Sequence, residues 1–211
     1  PYQAFEGALD WRMRGGAVPA EHCAALAVLA MGYPRDAAGR LEGIAEREGL
    51  DDALRAEAAA QAGDAWERAG DIERSLAALD RAVALAPGTA RFHVDRGVLF
   101  LELGRTWDAI DDFDLALDLH PNRPEALQFR ATAYRLVEAY DLAETDLVRL
   151  LNLDPGSPEA FLELGEVRLA QGDSRAAQEA FLLALENTDA DTALAAAARA
   201  KIEELALGAR N

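Results

Sequence analysis

The 211 residues carry 38 acidic side chains against 21 basic ones, a formal net charge of −17, which repels a phosphate backbone or an anionic membrane surface and excludes nucleic acid as a partner. Hydrophobic residues make up 51% of the chain but aromatic ones only 7%, which points to an all-α chain of closely spaced helices packed through alanine. No run approaches the roughly 20 apolar residues of a membrane-spanning helix, and one cysteine, Cys23, cannot form an internal disulfide.

Residues 1–17 begin with a predicted helix over 3–13, carrying Phe5, Leu9, Trp11 and Met13 and closed by Gly15 and Gly16. After it the chain is periodic. Pro87, Pro121 and Pro155 end the phrases LAP, LHP and LDP at a spacing of 34 residues, which divides the sequence into windows 56–89, 90–123, 124–157 and 158–191. The eighth column of these windows reads Gly63, Gly97, Ala131 and Gly165, and the twentieth reads Ser75, Ala109, Ala143 and Ala177. Residues this small mark places where two helices cross closely.

Column eleven (Trp66, Phe100, Tyr134, Arg168) and column twenty-four (Leu79, Phe113, Leu147, Phe181) supply the bulk beside those crossings. Column fifteen (Gly70, Gly104, Glu138, Gly172) marks the end of one helix and splits each window into a pair. Thr89 and Ser157 stand at N-cap positions, Pro124 and Pro158 in first turns, and Asp71, Asp141 and Ser174 at the openings of second helices. Residues 18–55 form a divergent copy with Ala25, Gly32, Ala37 and Leu41 in the matching columns. Residues 192–211 form a closing amphipathic helix through Leu194, Ala198, Ile202 and Leu205, which shields the last apolar face.

This pattern resembles the tetratricopeptide repeat family over four consecutive windows. Column four departs mildly (Ala59, His93, Leu127, Phe161), and Asp189 replaces the last proline. The resemblance implies an all-α, right-handed superhelical solenoid of antiparallel helix hairpins, about twelve helices in one domain over 1–211. It also implies a concave groove lined by the first helix of each pair. The groove candidates are Gln61, Asp64, Arg91, Val94, Asp95, Val98, Gln128, Phe129, Thr132, Arg135, Leu162 and Glu166. Their mixture of apolar, hydrogen-bonding and charged groups suits a peptide or helix of another protein. Some family members grip acidic C-terminal tails through lysine and asparagine at columns five and nine. Here those positions hold Ala60 and Asp64, Asp95 stands in the next repeat, and Glu125 and Phe129 follow in the third, so that ligand is not expected.

Catalysis and metal binding find no support. His22 and Cys23 are successive residues, which point about 100° apart on a helix, so Cys23 is expected to pack as a small apolar group. The acidic run Asp108, Asp111, Asp112, Asp114 and Asp118 lacks the glycine-punctuated loop of a calcium site and is expected to be a solvated face. No phosphate-binding loop, paired-cysteine zinc motif or GxSxG elbow occurs. The expected function is therefore a non-enzymatic scaffold or assembly factor without cofactor or metal, with self-assembly into homo-oligomers through the solenoid ends as the alternative. Residues 15–42, GGAVPAEHCAALAVLAMGYPRDAAGRLE, resemble the opening of exported bacterial tetratricopeptide proteins, which implies a periplasmic location, with a cytoplasmic scaffold as the alternative.

Overall fold

The computed structural model describes residues 1–208, so the last three positions of the expected 192–211 helix lie outside it. Twelve α-helices and one π-helical turn make up the regular structure of the described residues, with no strand among them. The fold is the all-α helical-hairpin solenoid class that the repeat implies. Where one domain over 1–211 was expected, the chain divides into two compact units, Pro1–Leu99 and a second beginning at Phe100. Within each unit the helices pack chiefly on their sequence neighbours.

The first unit holds α1 (Tyr2–Trp11), α2 (Ala17–Ala30), α3 (Pro34–Ala45), α4 (Asp52–Arg68), α5 (Ile72–Leu85) and most of α6 (Ala90–Glu102). Between α1 and α2 the turn Arg12–Gly16 is π-helical, and Gly15 adopts φ 96° there, so the first helix stops short of the expected 3–13. Ala8 is buried and Phe5 packs against an apolar cluster, whereas Met13 is exposed and Trp11, also exposed, lies with its ring against Gly16. The core is mostly alanine: Ala25, Ala37, Ala38, Ala62 and Ala65 surround Leu41 and Trp66, and Ala56, Ala58, Ala59 and Ala82 surround Ile44, Leu79 and Phe92.

The second unit holds the end of α6 and then α7 (Thr106–Leu119), α8 (Pro124–Leu136), α9 (Tyr140–Leu153), α10 (Pro158–Ala170), α11 (Ser174–Glu186) and α12 (Ala193–Gly208). Here α8 pairs with α9 and α10 with α11, and α12 closes on α11. Phe113, Leu127, Leu147 and Phe181 are wholly buried among Ala109, Ala131, Ala143 and Ala177. A Cβ added at Gly165 would fall 2.3 Å from Phe181 Cε1, which is why only hydrogen fits at that crossing.

Helix boundaries follow local chemistry. Ser157 Oγ accepts from the Ala160 amide at 3.2 Å, and Asp71 Oδ1 accepts from the Arg74 amide at 3.3 Å. Two expected caps shift by a residue or two: α11 is capped by Asp173, which accepts from the Ala176 amide at 2.9 Å, and Ser174 is its first helical residue. In α9, Asp141 lies inside the first turn instead of at the cap, where its charge still favours the helix dipole. The column-fifteen residues Gly70, Gly104 and Gly172 have φ between 70° and 85°, and Glu138 is held at φ 60° in the same role.

Candidate functional site

In the first unit, α2, α4 and α6 expose a wall joined by hydrogen bonds from helix to helix. His22 Nε2 donates to Gln61 Oε1 at 2.5 Å, Gln61 Nε2 donates to Glu57 Oε1 at 2.7 Å, and the other oxygen of Glu57 accepts from Arg91. Arg91 also reaches Asp95 at 3.5 Å, and its guanidinium lies 4.8 Å over the Phe92 ring. Asp64 is engaged by Arg68 at 3.0 Å within its own helix. Arg91 is thus paired with two carboxylates of its own chain. Val94 is 5% exposed and presents no apolar surface, while Val98 is half-buried.

The wall of the second unit differs. On α8, Phe129 stacks on Phe113 with ring centroids 6.1 Å apart and 20° between planes, and the residue is half-buried. Thr132 Oγ1 donates to the Gln128 carbonyl at 3.3 Å, and the Gln128 side-chain oxygen is buried with no hydrogen-bond partner. Leu162 of α10 is half-buried. Arg135 Nε donates to Glu163 Oε1 at 2.7 Å and ties α8 to α10, and Lys201 pairs with Glu166 at 2.9 Å and ties α10 to α12. Of the twelve sequence candidates, Gln128, Phe129, Thr132, Arg135, Leu162 and Glu166 lie in this unit, and the other six lie in the first. Glu57 and Glu163, on first helices of their pairs, were absent from the sequence candidates.

Behind the wall lies an ionic lock that the sequence reading also omitted. Arg130 donates to both oxygens of Asp146 at 2.7 Å and to Asp114 at 2.6 Å, and it lies 5.5 Å over the Tyr134 ring. Burial alone would weaken its hold on the proton, but the hydrogen bonds it donates to Asp146 and then Asp114 outweigh that and raise its pKa. Burial pushes the Tyr134 phenol up as well, and the charge of Arg130 offsets this in part. A 34-residue signal existed for the lock: Arg96 and Asp80, at the same columns one repeat earlier, pair at 2.8 Å. The acidic run is therefore only partly a solvated face, because Asp112 is buried and Asp114 is ion-paired. Cys23, expected to be packed, is exposed.

Two stretches of the chain, residues 64–133 and 130–192, match the tetratricopeptide repeat and together span more than half of its length. The chain belongs to the tetratricopeptide repeat family. Hsc70-interacting protein 1 of Drosophila melanogaster is 36% identical over 101 residues, which are 48% of this chain and 26% of that protein, so the match spans about a quarter of the curated relative. A tetratricopeptide repeat protein from Parabacteroides merdae superposes with TM-score 0.77 at 20% identity, covering 99% of this chain and 76% of that one. YrrB, described as having an unusual peptide-binding site, gives TM-score 0.69 at 18% identity over 93% of this chain and 98% of its own. At these identities the structural likenesses show the fold. Among the described residues no group of three or more His, Cys, Asp or Glu side chains is placed to hold a metal ion, and no helix is long and apolar enough to cross a membrane.

Proposed function

We propose that this chain is a non-enzymatic scaffold or assembly factor that takes an extended or helical segment of a partner protein on the α8 and α10 wall of its second unit. The observation that carries this reading is a pair of half-buried apolar groups, Phe129 of α8 stacked on Phe113 and Leu162 of α10, on two helices joined by Arg135 and Glu163. Apolar anchors flanked by ion pairs suit a peptide side chain. The Arg135–Glu163 pair ties α8 to α10 and the Glu166–Lys201 pair ties α10 to α12, which preorganises the wall.

The Hsc70 of the Drosophila relative's name is not carried over as the ligand. Arg91 and Arg135 already hold carboxylates of this chain, and Asp64 and Asp95 add negative charge, so a uniformly acidic tail meets repulsion. A periplasmic location is proposed on the resemblance of residues 15–42 alone, and fractionation of the native host tests it.

Selection from a random displayed peptide library, followed by amide NMR mapping of the selected peptide, tests the wall. Shifts concentrated at residues 128–135 and 162–166, and about tenfold weaker binding of Leu162→Glu, are expected. Shifts elsewhere, with undiminished binding to Leu162→Glu, would reject it.

A further inference from the structure

We propose that the solvent face of α7 is a second docking surface, separate from the α8 and α10 wall, whose partner is a basic amphipathic helix presenting arginines. The face consists of Trp107, Asp111, Leu115, Asp118 and Leu119, all exposed and spaced so that they share one arc of the helix. Trp107 is 67% exposed. The helix contains five aspartates and no basic residue. Asp112 is buried, Asp114 holds Arg130, and Asp108 accepts from Arg105 at 2.8 Å, which leaves Asp111 and Asp118 facing water between the apolar groups.

Packing does not explain this pattern. At the same five columns α5 carries Glu73, Ala77, Arg81, Ala84 and Leu85, and α9 carries Asp141, Thr145, Arg149, Asn152 and Leu153. Both helices carry charged residues where α7 places Trp107 and Leu115, whereas leucine recurs at the column of Leu119, so neither Trp107 nor Leu115 is required for such a helix to pack. Exposed large apolar groups on one helix face, interleaved with acids, suit a ligand that buries the former and neutralises the latter.

The chemistry narrows further to arginine. This chain covers Trp66 with Arg74, whose guanidinium lies 4.6 Å from the ring centroid, and Phe100 with Arg105 at 4.3 Å. Among the described residues no arginine lies over Trp107. A partner arginine stacked on Trp107 would place its fork toward Asp111, one turn further on, combining ring and carboxylate recognition.

The test uses the full chain and a fluorescein-labelled synthetic helix of about four turns, with leucines on one face and arginines on the other, read by fluorescence anisotropy. A twin with glutamates for arginines is the control ligand. Binding of the arginine peptide but not of its twin is expected, with Trp107→Ser/Leu115→Ser and Asp111→Arg/Asp118→Arg each weakening it about tenfold or more. Glu203→Arg/Glu204→Arg, which makes the same change in charge on α12, should weaken it less than about twofold. Because the altered residues are exposed, circular dichroism should be unchanged. If the first double variant nevertheless loses helix, the charge-reversal variant decides alone.

Equal weakening by the α12 variant would show attraction to general acidity and overturn the proposal, as would undiminished binding by the α7 variants. Concentration-dependent dimers seen by light scattering and lost in Trp107→Ser/Leu115→Ser would mean that a second copy covers the face, and would also overturn it.

Discussion

In the first unit the helices meet through alanine, with Ala25, Ala37, Ala38, Ala56, Ala59 and Ala62 almost wholly buried, whereas in the second Phe113, Leu127, Leu147 and Phe181 fill the same kinds of space. Their exposed walls differ in the same sense. The first wall is a string of polar contacts from His22 through Gln61 and Glu57 to Arg91, while the second offers part of Phe129 and Leu162 between ion pairs. One repeat grammar therefore yields one wall of polar contacts within the chain and another that carries half-buried apolar groups between ion pairs.

The largest expected break in this comparison concerns the ionic locks. Asp146→Ala should cost about 3 kcal/mol, because it leaves Arg130 with much of its guanidinium shielded from water and only Asp114 as carboxylate partner. Asp80→Ala, at the exposed end of the Arg96 pair in the first unit, should cost less than about 1 kcal/mol. Equal shifts in urea midpoint for the two variants would contradict the difference in burial.

The helix crossings should separate the units next. Gly165→Ala drives a methyl into the locked ring of Phe181 and is expected to cost about 2 kcal/mol, even after the gain in helix propensity. Gly63→Ala meets Leu79 Cγ at 2.9 Å, on a side chain with more freedom to rotate, and should cost less than about 1 kcal/mol. Thermal unfolding followed by circular dichroism ranks them, and the reverse order would show that the alanine-packed unit is the less tolerant one.

The smallest effect is a gain. Glu138 holds a left-handed conformation at φ 60° where the first unit uses Gly32 and Gly70, so Glu138→Gly should stabilise the chain by about 0.5–1 kcal/mol, seen as a small rise in urea midpoint. A fall would mean that the glutamate side chain contributes more than its backbone strain removes.

The sequence by itself determined the period, the helix pairs and the crossing residues, because these rest on local chemistry repeated every 34 positions. Gly70, Gly104 and Gly172 end helices by their backbone freedom, and Ala143 and Ala177 are buried wherever the register puts them. Much of the wall was legible too, since its columns follow from the register. The tertiary structure alone decided which charges meet. Glu57 lies 34 residues from Arg91 and Asp146 lies 16 from Arg130, separations across which composition carries no information about rotamers or reach. For the same reason the burial of Val94 and Asp112 and the exposure of Cys23 escaped the sequence: a column assigns a face, but how far a neighbouring helix leans over that face depends on the side chains it brings with it.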